Sequence, residues 1–189
     1  MRELSLNILD IAQNSVRAEA KNIEIQLLED INGWLTFRIT DNGKGMDAVT
    51  VRRVSDPFYT TRTTRRVGLG LPFLRMGAEM TGGSFSIKSK PREEGEGHGT
   101  VVTATFNMKH IDAVPLGDMI STVCVLLQGQ PDIDWLYIHS TPAGEVRLDA
   151  AELRSILGEE VSLGETEVIN WIRDYLDEQY SSLNPKIEN

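Results

Sequence analysis

Two short segments, Asn22 to Leu28 (NIEIQLL) and Trp34 to Ile39 (WLTFRI), alternate apolar and polar residues on either side of Asp30-Ile31-Asn32-Gly33. A period of two puts all the apolar side chains of such a run on one face, so each is a strand with one wet and one dry side. A turn this short joins antiparallel neighbours. The dry face then needs a cover, and helices supply one: just before the first strand, Leu4, Ile8, Ile11, Ser15 and Ala18 recur at helical spacing. The adjoining stripe of this helix is Glu3, Asn7, Asp10, Asn14, Arg17 and Lys21, an ordinary solvated face if taken alone.

The pattern repeats downstream. The second strand runs into the glycine turn TDNGKGMDAV, followed by a segment Ala48 to Val54 and a polar, basic stretch from Ser55 to Val67. A helix from about Gly70 to Met80 is closed by Gly82-Gly83. Strands at Ser84 to Ser89 and Thr100 to Met108 flank PREEGEGHG. Helix, two strands, loop, helix, two strands predicts an α+β fold, a two-layer sandwich of an antiparallel or mixed sheet covered by helices on one face.

Beyond a boundary at Lys109 to Val114 a small α/β extension is expected at 115–189. It comprises a helix Pro115 to Leu127 stopped by Gly129 and Pro131, a hairpin of Asp134 to His139 with Glu145 to Leu148, and a helix with an Asp149/Glu152 capping box. A last amphipathic helix carries Val168, Ile169, Ile172, Tyr175 and Leu176. Trp135, Tyr137, Trp171 and Tyr175 are expected in the core, and the final SSLNPKIEN is expected to fray. This extension carries no chemical signature, so docking a partner or a second copy is its expected role.

Composition narrows the partners. With 19 Lys and Arg against 28 Asp and Glu, the net charge is -9, which disfavours nucleic acid or an anionic membrane as the partner of the whole surface. Cys124 is the single cysteine and lies in an apolar run, which argues for packing and against a disulfide framework. No secretory signal leads the sequence, and the apolar run Val123 to Leu127 is too short to span a bilayer, so the expectation is a cytoplasmic protein.

Three glycine turns point to a ligand. Asp41-Asn42-Gly43-Lys44-Gly45-Met46 directly follows a strand, so its backbone can approach a flat ligand while Asp41 serves as a fixed acceptor. A calcium loop does not fit, because the later ligand positions and the central glycine are wrong. Gly68-Leu69-Gly70-Leu71 opens a helix, where free amides and the helix dipole favour an anion. It is neither a P-loop nor a dinucleotide fingerprint, since Phe73 stands where the third glycine would be. Between these turns, Asp56-Pro57-Phe58-Tyr59-Thr60-Thr61-Arg62 with Thr63, Thr64, Arg65 and Arg66 packs hydroxyls and guanidinium groups that can close over phosphates.

Taken in order, Asp10-xxx-Asn14-Ser15-xx-Ala18, Asp41-x-Gly43-x-Gly45-Met46, DPFYTTR, Gly68-Leu69-Gly70-Leu71 and Gly99-Thr100 resemble the five boxes of the GHKL superfamily over residues 1–108. That superfamily comprises gyrase-type topoisomerases, heat-shock chaperone ATPases, histidine kinases and mismatch-repair ATPases. The resemblance implies a Bergerat fold that binds ATP with Mg²⁺. Asn14 would hold the metal and Asp41 the adenine amino group. Ala18, Gly43, Gly45, Met46 and Thr100 would line or support the base. Gly68, Leu69, Gly70 and Leu71 would wrap the phosphates, and residues 55–67, with Thr60, Thr61 and Arg62, would form a lid.

Departures from the pattern also inform. Arg66 stands where many members begin the second glycine box with Gly, and His98, His110 and His139 lie outside any phosphoacceptor motif. No dimerisation helix bearing an acceptor histidine is expected ahead of the first helix. A neutral imidazole attacks phosphorus without losing a proton first, whereas water or a serine hydroxyl benefits from a base. At the position of Asp10 the ATPases and serine kinases of the superfamily usually carry Glu, and histidine kinases more often Asn. Asp10 sides with the former, one methylene short, while Arg17 and Arg62 fall where histidine kinases place phosphate-contacting lysines. The implied function is magnesium-dependent ATP hydrolysis or phosphoryl transfer to a partner protein, in a signalling context. Asp10, Arg17 and Arg62 would be the catalytic groups, and a homodimer or a protein partner would engage residues 110–189. The alternative is a nucleotide-gated interaction switch with little turnover.

Overall fold

The computed structural model describes residues 3–54, 70–158 and 160–183. Helix α1 (Leu4–Arg17) precedes strands β1 (Asn22–Glu29) and β2 (Trp34–Asp41). Short helix α2 (Ala48–Val54) and helix α3 (Gly70–Met80) follow, then β3 (Phe85–Lys90) and β4 (Gly99–Asn107). The remainder is α4 (Met119–Gly129), β5 (Asp134–Thr141), β6 (Gly144–Asp149), α5 (Ala150–Leu157) and α6 (Thr166–Leu183). All six strands form one open mixed sheet in the order β3-β4-β2-β1-β5-β6, in which only the β1–β5 pairing is parallel. The fold is α+β, as the alternation of strands and helices predicts.

The β1–β2 hairpin follows from local chemistry. Asp30 Oδ1 accepts from the backbone N–H groups of Asn32 and Trp34 at 2.9 and 2.8 Å, and Gly33 takes φ +85° in the turn. From there the register pairs Leu35 with Glu29, Phe37 with Leu27 and Ile39 with Ile25. Ile23, Ile25 and Leu27 of β1 line up with Leu35, Phe37 and Ile39 of β2 and with Val102, Ala104 and Phe106 of β4 on the helix-facing side, all at most 4% exposed. Leu4, Ile8, Ile11 and Ala12 of α1 and Leu74 and Ala78 of α3 close over them. Burying each large aliphatic side chain here contributes about 2 kcal/mol.

The C-terminal region adds to the same layers. Trp135 and Tyr137 of β5 and Val146 and Leu148 of β6 continue the buried face, and Met119, Val123, Leu126 and Leu127 of α4 pack in the same core with Ile169, Ile172 and Leu176 of α6. Cys124 is buried in α4, where it packs as a small hydrophobe. Pro115 to Gly117 are not helical, in contrast to the expected start of that helix at Pro115. Asp118 is the N-cap instead, its carboxylate accepting from Ser121 N at 2.8 Å. The freed carbonyls of Pro115 and Leu116 accept from Leu4 N and Ser5 N at 3.0 and 2.8 Å, satisfying the start of α1, which lacks a side-chain cap of its own. The capping box expected at Asp149/Glu152 is half-formed: Asp149 Oδ1 accepts from Ala151 N and Glu152 N, while the Glu152 carboxylate meets Arg147 Nη1 at 3.3 Å.

His139 ties α6 to the sheet. Buried at 3% exposure, it places Nε2 3.0 Å from Glu29 Oε1 and Nδ1 2.8 Å from the Tyr180 hydroxyl, which is itself 2.5 Å from the Tyr137 hydroxyl. Burial pushes the imidazole below its ordinary 6.5, and the Glu29 carboxylate opposes this only in part. Burial likewise raises the Tyr180 phenol to about 12. The neutral ring therefore donates from Nε2 to Glu29 and accepts at Nδ1 from Tyr180. Because the unfolded state binds the proton more readily than the native state, stability rises with pH across this titration and is lost as pH falls below 6.5. Urea unfolding from about pH 8 to pH 5 should show that loss, and His139→Gln should flatten it.

Candidate nucleotide site

Asp41 ends β2 in the same rank as Ser89, Thr100, Ile23 and Trp135, which pair in turn across five strands. Period two turns this rank toward the helices, so an acidic residue meets the helix layer where the sheet's apolar face ends. Asp41 is 9% exposed. Its Oδ2 accepts from Ser15 Oγ of α1 at 2.7 Å and its Oδ1 from Gly43 N at 2.9 Å. A carboxylate has about four lone-pair sites, so acceptor capacity is left over.

The loop after Asp41 is pinned on several sides. Lys44 N donates to Ala18 O at 2.8 Å, Arg92 N to Lys44 O at 2.9 Å, and His98 Nδ1 to Gly43 O at 2.7 Å. Gly45 takes φ +67°, and a Cβ there would collide with the Lys90 carbonyl oxygen, so glycine is required twice over. Met46 N donates to Ser89 Oγ at 2.8 Å. Ser89 donates to Gly99 O at 2.9 Å, and its oxygen lies 2.8 Å from Thr100 Oγ1. Thr100 therefore donates to Ser89 and keeps its own lone pairs free.

On α1, Asp10, Asn14 and Arg17 form one stripe, with Ala18 at the helix C-cap. Asn14 Oδ1 accepts from Arg17 Nη1 at 2.9 Å. Asp10 faces the start of α3: a Cβ added to Gly70 would lie 3.1 Å from Asp10 Cγ and would collide with its Oδ2. Leu71 follows in the first turn of α3, half-buried against the core. Asn7, one turn ahead of Asp10, is buried and not solvated as its stripe suggests; its Nδ2 has no partner among the described residues. Thr60, Thr61, Arg62, Gly68 and Leu69, and the whole expected lid at 55–67, lie outside the described residues.

The structure thus brings Asp10, Asn14, Asp41, Gly43, Gly45, Met46, Gly70 and Thr100 to one end of the helix-facing layer. Sequence reasoning left out Ser15 as the donor to Asp41, Ser89 as the link between Met46 and Thr100, and His98 as the prop of Gly43. Ser89 was within reach, since counting back across the β3–β4 loop places it opposite Thr100. A cavity of about 680 Å³ lies over the other face of the sheet, lined by Lys88, Val101, Thr40, Glu24 and Leu136, and it reaches Asp41, Ser89, His98 and Thr100 at the same end of the strands. Within its lining, Glu24 accepts from Gln26, and Asp134 pairs with Arg154.

Comparison with known proteins decides the family. Residues 1–110 match the family described as histidine kinase-, DNA gyrase B-, and HSP90-like ATPase. The chain belongs to this family. The sensor histidine kinase YvrG of Bacillus subtilis is 31% identical over 98 residues, which is 49% of this chain and 16% of that protein. The cell-division control histidine kinase PdhS of Brucella anthropi is 29% identical over 121 residues, 56% of this chain and 11% of that one. The chain therefore spans less than a fifth of these relatives. The Aquifex aeolicus MutL ATPase domain complexed with ADP superposes with a TM-score of 0.56 at 12% identity, over 79% of this chain and 63% of that one. The N-terminal domain of a DNA repair protein gives 0.53 at 18%, over 79% and 52%. The GHKL fold expected from the five boxes is the fold observed.

The donor set suits the nucleotide that this fold implies. A buried acceptor with spare capacity, a neighbouring hydroxyl and the start of a helix complement a purine and its phosphates, and the amide oxygen of Asn14 is a hard donor suited to Mg²⁺. Ser89→Ala removes the acceptor of Met46 N, and exchange of that amide should speed up about tenfold, the equivalent of one hydrogen bond, as read by native-state hydrogen exchange.

Proposed function

We propose that this chain binds ATP with Mg²⁺ between α1, the 41–46 loop, the start of β4 and the start of α3, and that it hydrolyses ATP or transfers the γ-phosphoryl group to a partner protein. The observation that carries this reading is the buried Asp41 carboxylate, oriented by Ser15 and Gly43 and retaining acceptor capacity. The adenine amino group is a donor that matches it; guanine presents a carbonyl oxygen at the equivalent place and would meet an acceptor. The family match and the shared fold with an ADP-bound MutL ATPase domain support the nucleotide.

At the phosphate end, Gly70 and Leu71 offer amides at a helix start, with Gly68 and Leu69 expected to extend this wrap. Mg²⁺, held by Asn14 Oδ1 and phosphate oxygens, would neutralise charge on the phosphates. The donation from Arg17 to the same amide oxygen supports a role for its guanidinium in stabilising phosphoryl charge, a role shared with Arg62 and with the Thr60 and Thr61 hydroxyls of the expected lid. Asp10, one turn before Asn14, orients or deprotonates an attacking water or hydroxyl. Residues 115–189 form the region that engages the partner or a second copy, in a cytoplasmic setting. Among the described residues no helix is long and apolar enough to cross a membrane.

One observation favours a second reading, a nucleotide-gated switch with little turnover. The Asp10 carboxylate is packed against the start of α3, where it can anchor that helix without acting as a base.

Two measurements test these readings. In calorimetric titrations, Asp41→Asn should weaken ATP binding about 10- to 100-fold, the range of a hydrogen bond to a charged group, and Asn14→Ala should abolish the magnesium dependence. Equal binding by wild type and Asn14→Ala removes the metal assignment. Asp10→Asn should keep ATP affinity and lose phosphate release or transfer, and unchanged turnover would assign Asp10 to the switch.

A further inference from the structure

Helix α6 buries one face through Ile169, Ile172 and Leu176. Trp171 lies on the far side of the helix and Tyr175 on the flank of the buried stripe, and here the expectation of a core role fails: they are 51% and 38% exposed. Their rings stack in parallel, with centroids 5.2 Å apart and planes 10° from each other. At 200° around the helical wheel from Ile169, Trp171 points away from the core stripe, whereas Tyr175 at 240° flanks Ile172 at 300°, which is why helical spacing grouped Tyr175 with the core. Neither the indole N–H nor the phenol is hydrogen-bonded among the described residues.

The surroundings of this pair are of one sign. Glu167, Asp174 and Glu178 lie four residues before, three after and seven after Trp171, on the same side of the helix, and all are exposed. The one cation of α6, Arg173, points the other way and donates from Nη1 to Ser121 Oγ of α4 at 3.1 Å. Among the described residues none of the three carboxylates has an ion-pair partner.

We propose that this face of α6 docks a basic segment of a partner protein, with an arginine stacked on the Trp171–Tyr175 pair and neighbouring cations paired with Glu167, Asp174 and Glu178. The face of an indole or phenol ring attracts a cation, and a planar guanidinium can stack on it while its edge donates to carboxylates. The charge excludes the other occupants. Phosphate backbones and anionic headgroups are repelled by three uncompensated carboxylates. In a two-fold dimer through this face the same carboxylates would face one another. The surface is independent of the nucleotide site, so the proposal stands or falls apart from the ATP reading.

The test uses the full chain and a short fluorescent peptide of alternating arginine and serine, with a lysine peptide of the same length, followed by anisotropy at low salt. The arginine peptide should bind more tightly than the lysine peptide. Trp171→Ala should weaken it about tenfold, within the range of a desolvated cation–π contact, with Trp171→Phe between the two. Asp174→Lys should also weaken it, and this surface variant carries the test if Trp171→Ala fails to fold. Reversal of Glu93 and Glu94, on a distant turn, should leave binding unchanged. The proposal is overturned if Trp171→Ala and Asp174→Lys bind as wild type does, if the Glu93/Glu94 reversal weakens binding equally, or if sedimentation shows a dimer that Trp171→Ala dissolves.

Discussion

The structure turns on one buried carboxyl group. A carboxylate out of water is tolerated only if donors satisfy it, and the two donors to Asp41 come from different elements, Ser15 from α1 and Gly43 from the loop after β2. The sheet, the helix and the loop must therefore be in mutual register for the buried Asp41 carboxyl to keep both of its donors. The same requirement fixes the geometry of the candidate site, because the loop that satisfies Asp41 also carries Gly45 against Lys90 and Met46 against Ser89. Preorganisation of the ligand face follows from satisfying a group that would otherwise destabilise the fold.

Helix α1 is held at both ends by parts of the chain remote from it. Its C-terminal end is stitched to the glycine loop through Ala18 and Lys44, and its N-terminal amides are satisfied by carbonyls of Pro115 and Leu116. Asp10 and Asn14 lie between these two anchors. The C-terminal region thus sets the position of α1 along its axis, and with it the position of the stripe facing the start of α3. A load applied to α4 or α6 has a short mechanical route to that stripe, since α4 packs in the same core as α1.

Much of this was legible in the sequence because it rests on local rules. Alternation in NIEIQLL and WLTFRI fixes a hairpin, and Gly82-Gly83 marks the end of α3. The glycine boxes mark the places where backbone must come close to something, and Gly45 and Gly70 meet Lys90 and Asp10 there. What sequence missed depends on long-range placement. Ser89 and His98 matter only through partners on other elements, Met46 and Gly43. Asn7 belongs to a polar stripe yet is covered by neighbouring structure, and Pro115 to Gly117 leave the helical pattern because their carbonyls serve α1. Trp171 and Tyr175 show the converse: aromatic residues are not interior residues by type, and on α6 the far side and the flank of the buried stripe are left uncovered.

The single parallel pairing in the sheet has a kinetic consequence. β1 is finished early in the chain, yet its neighbour β5 begins with Asp134, joined to Asn22 across 112 residues. Pairings of such long sequence separation form late, because a large loop must close before any contact rewards it. During synthesis β1 therefore spends an interval with one hydrogen-bonding edge bare, an aggregation-exposed state that ends only when β5 has emerged. The six-stranded sheet can be completed only once the part of the chain that carries none of the glycine boxes is present.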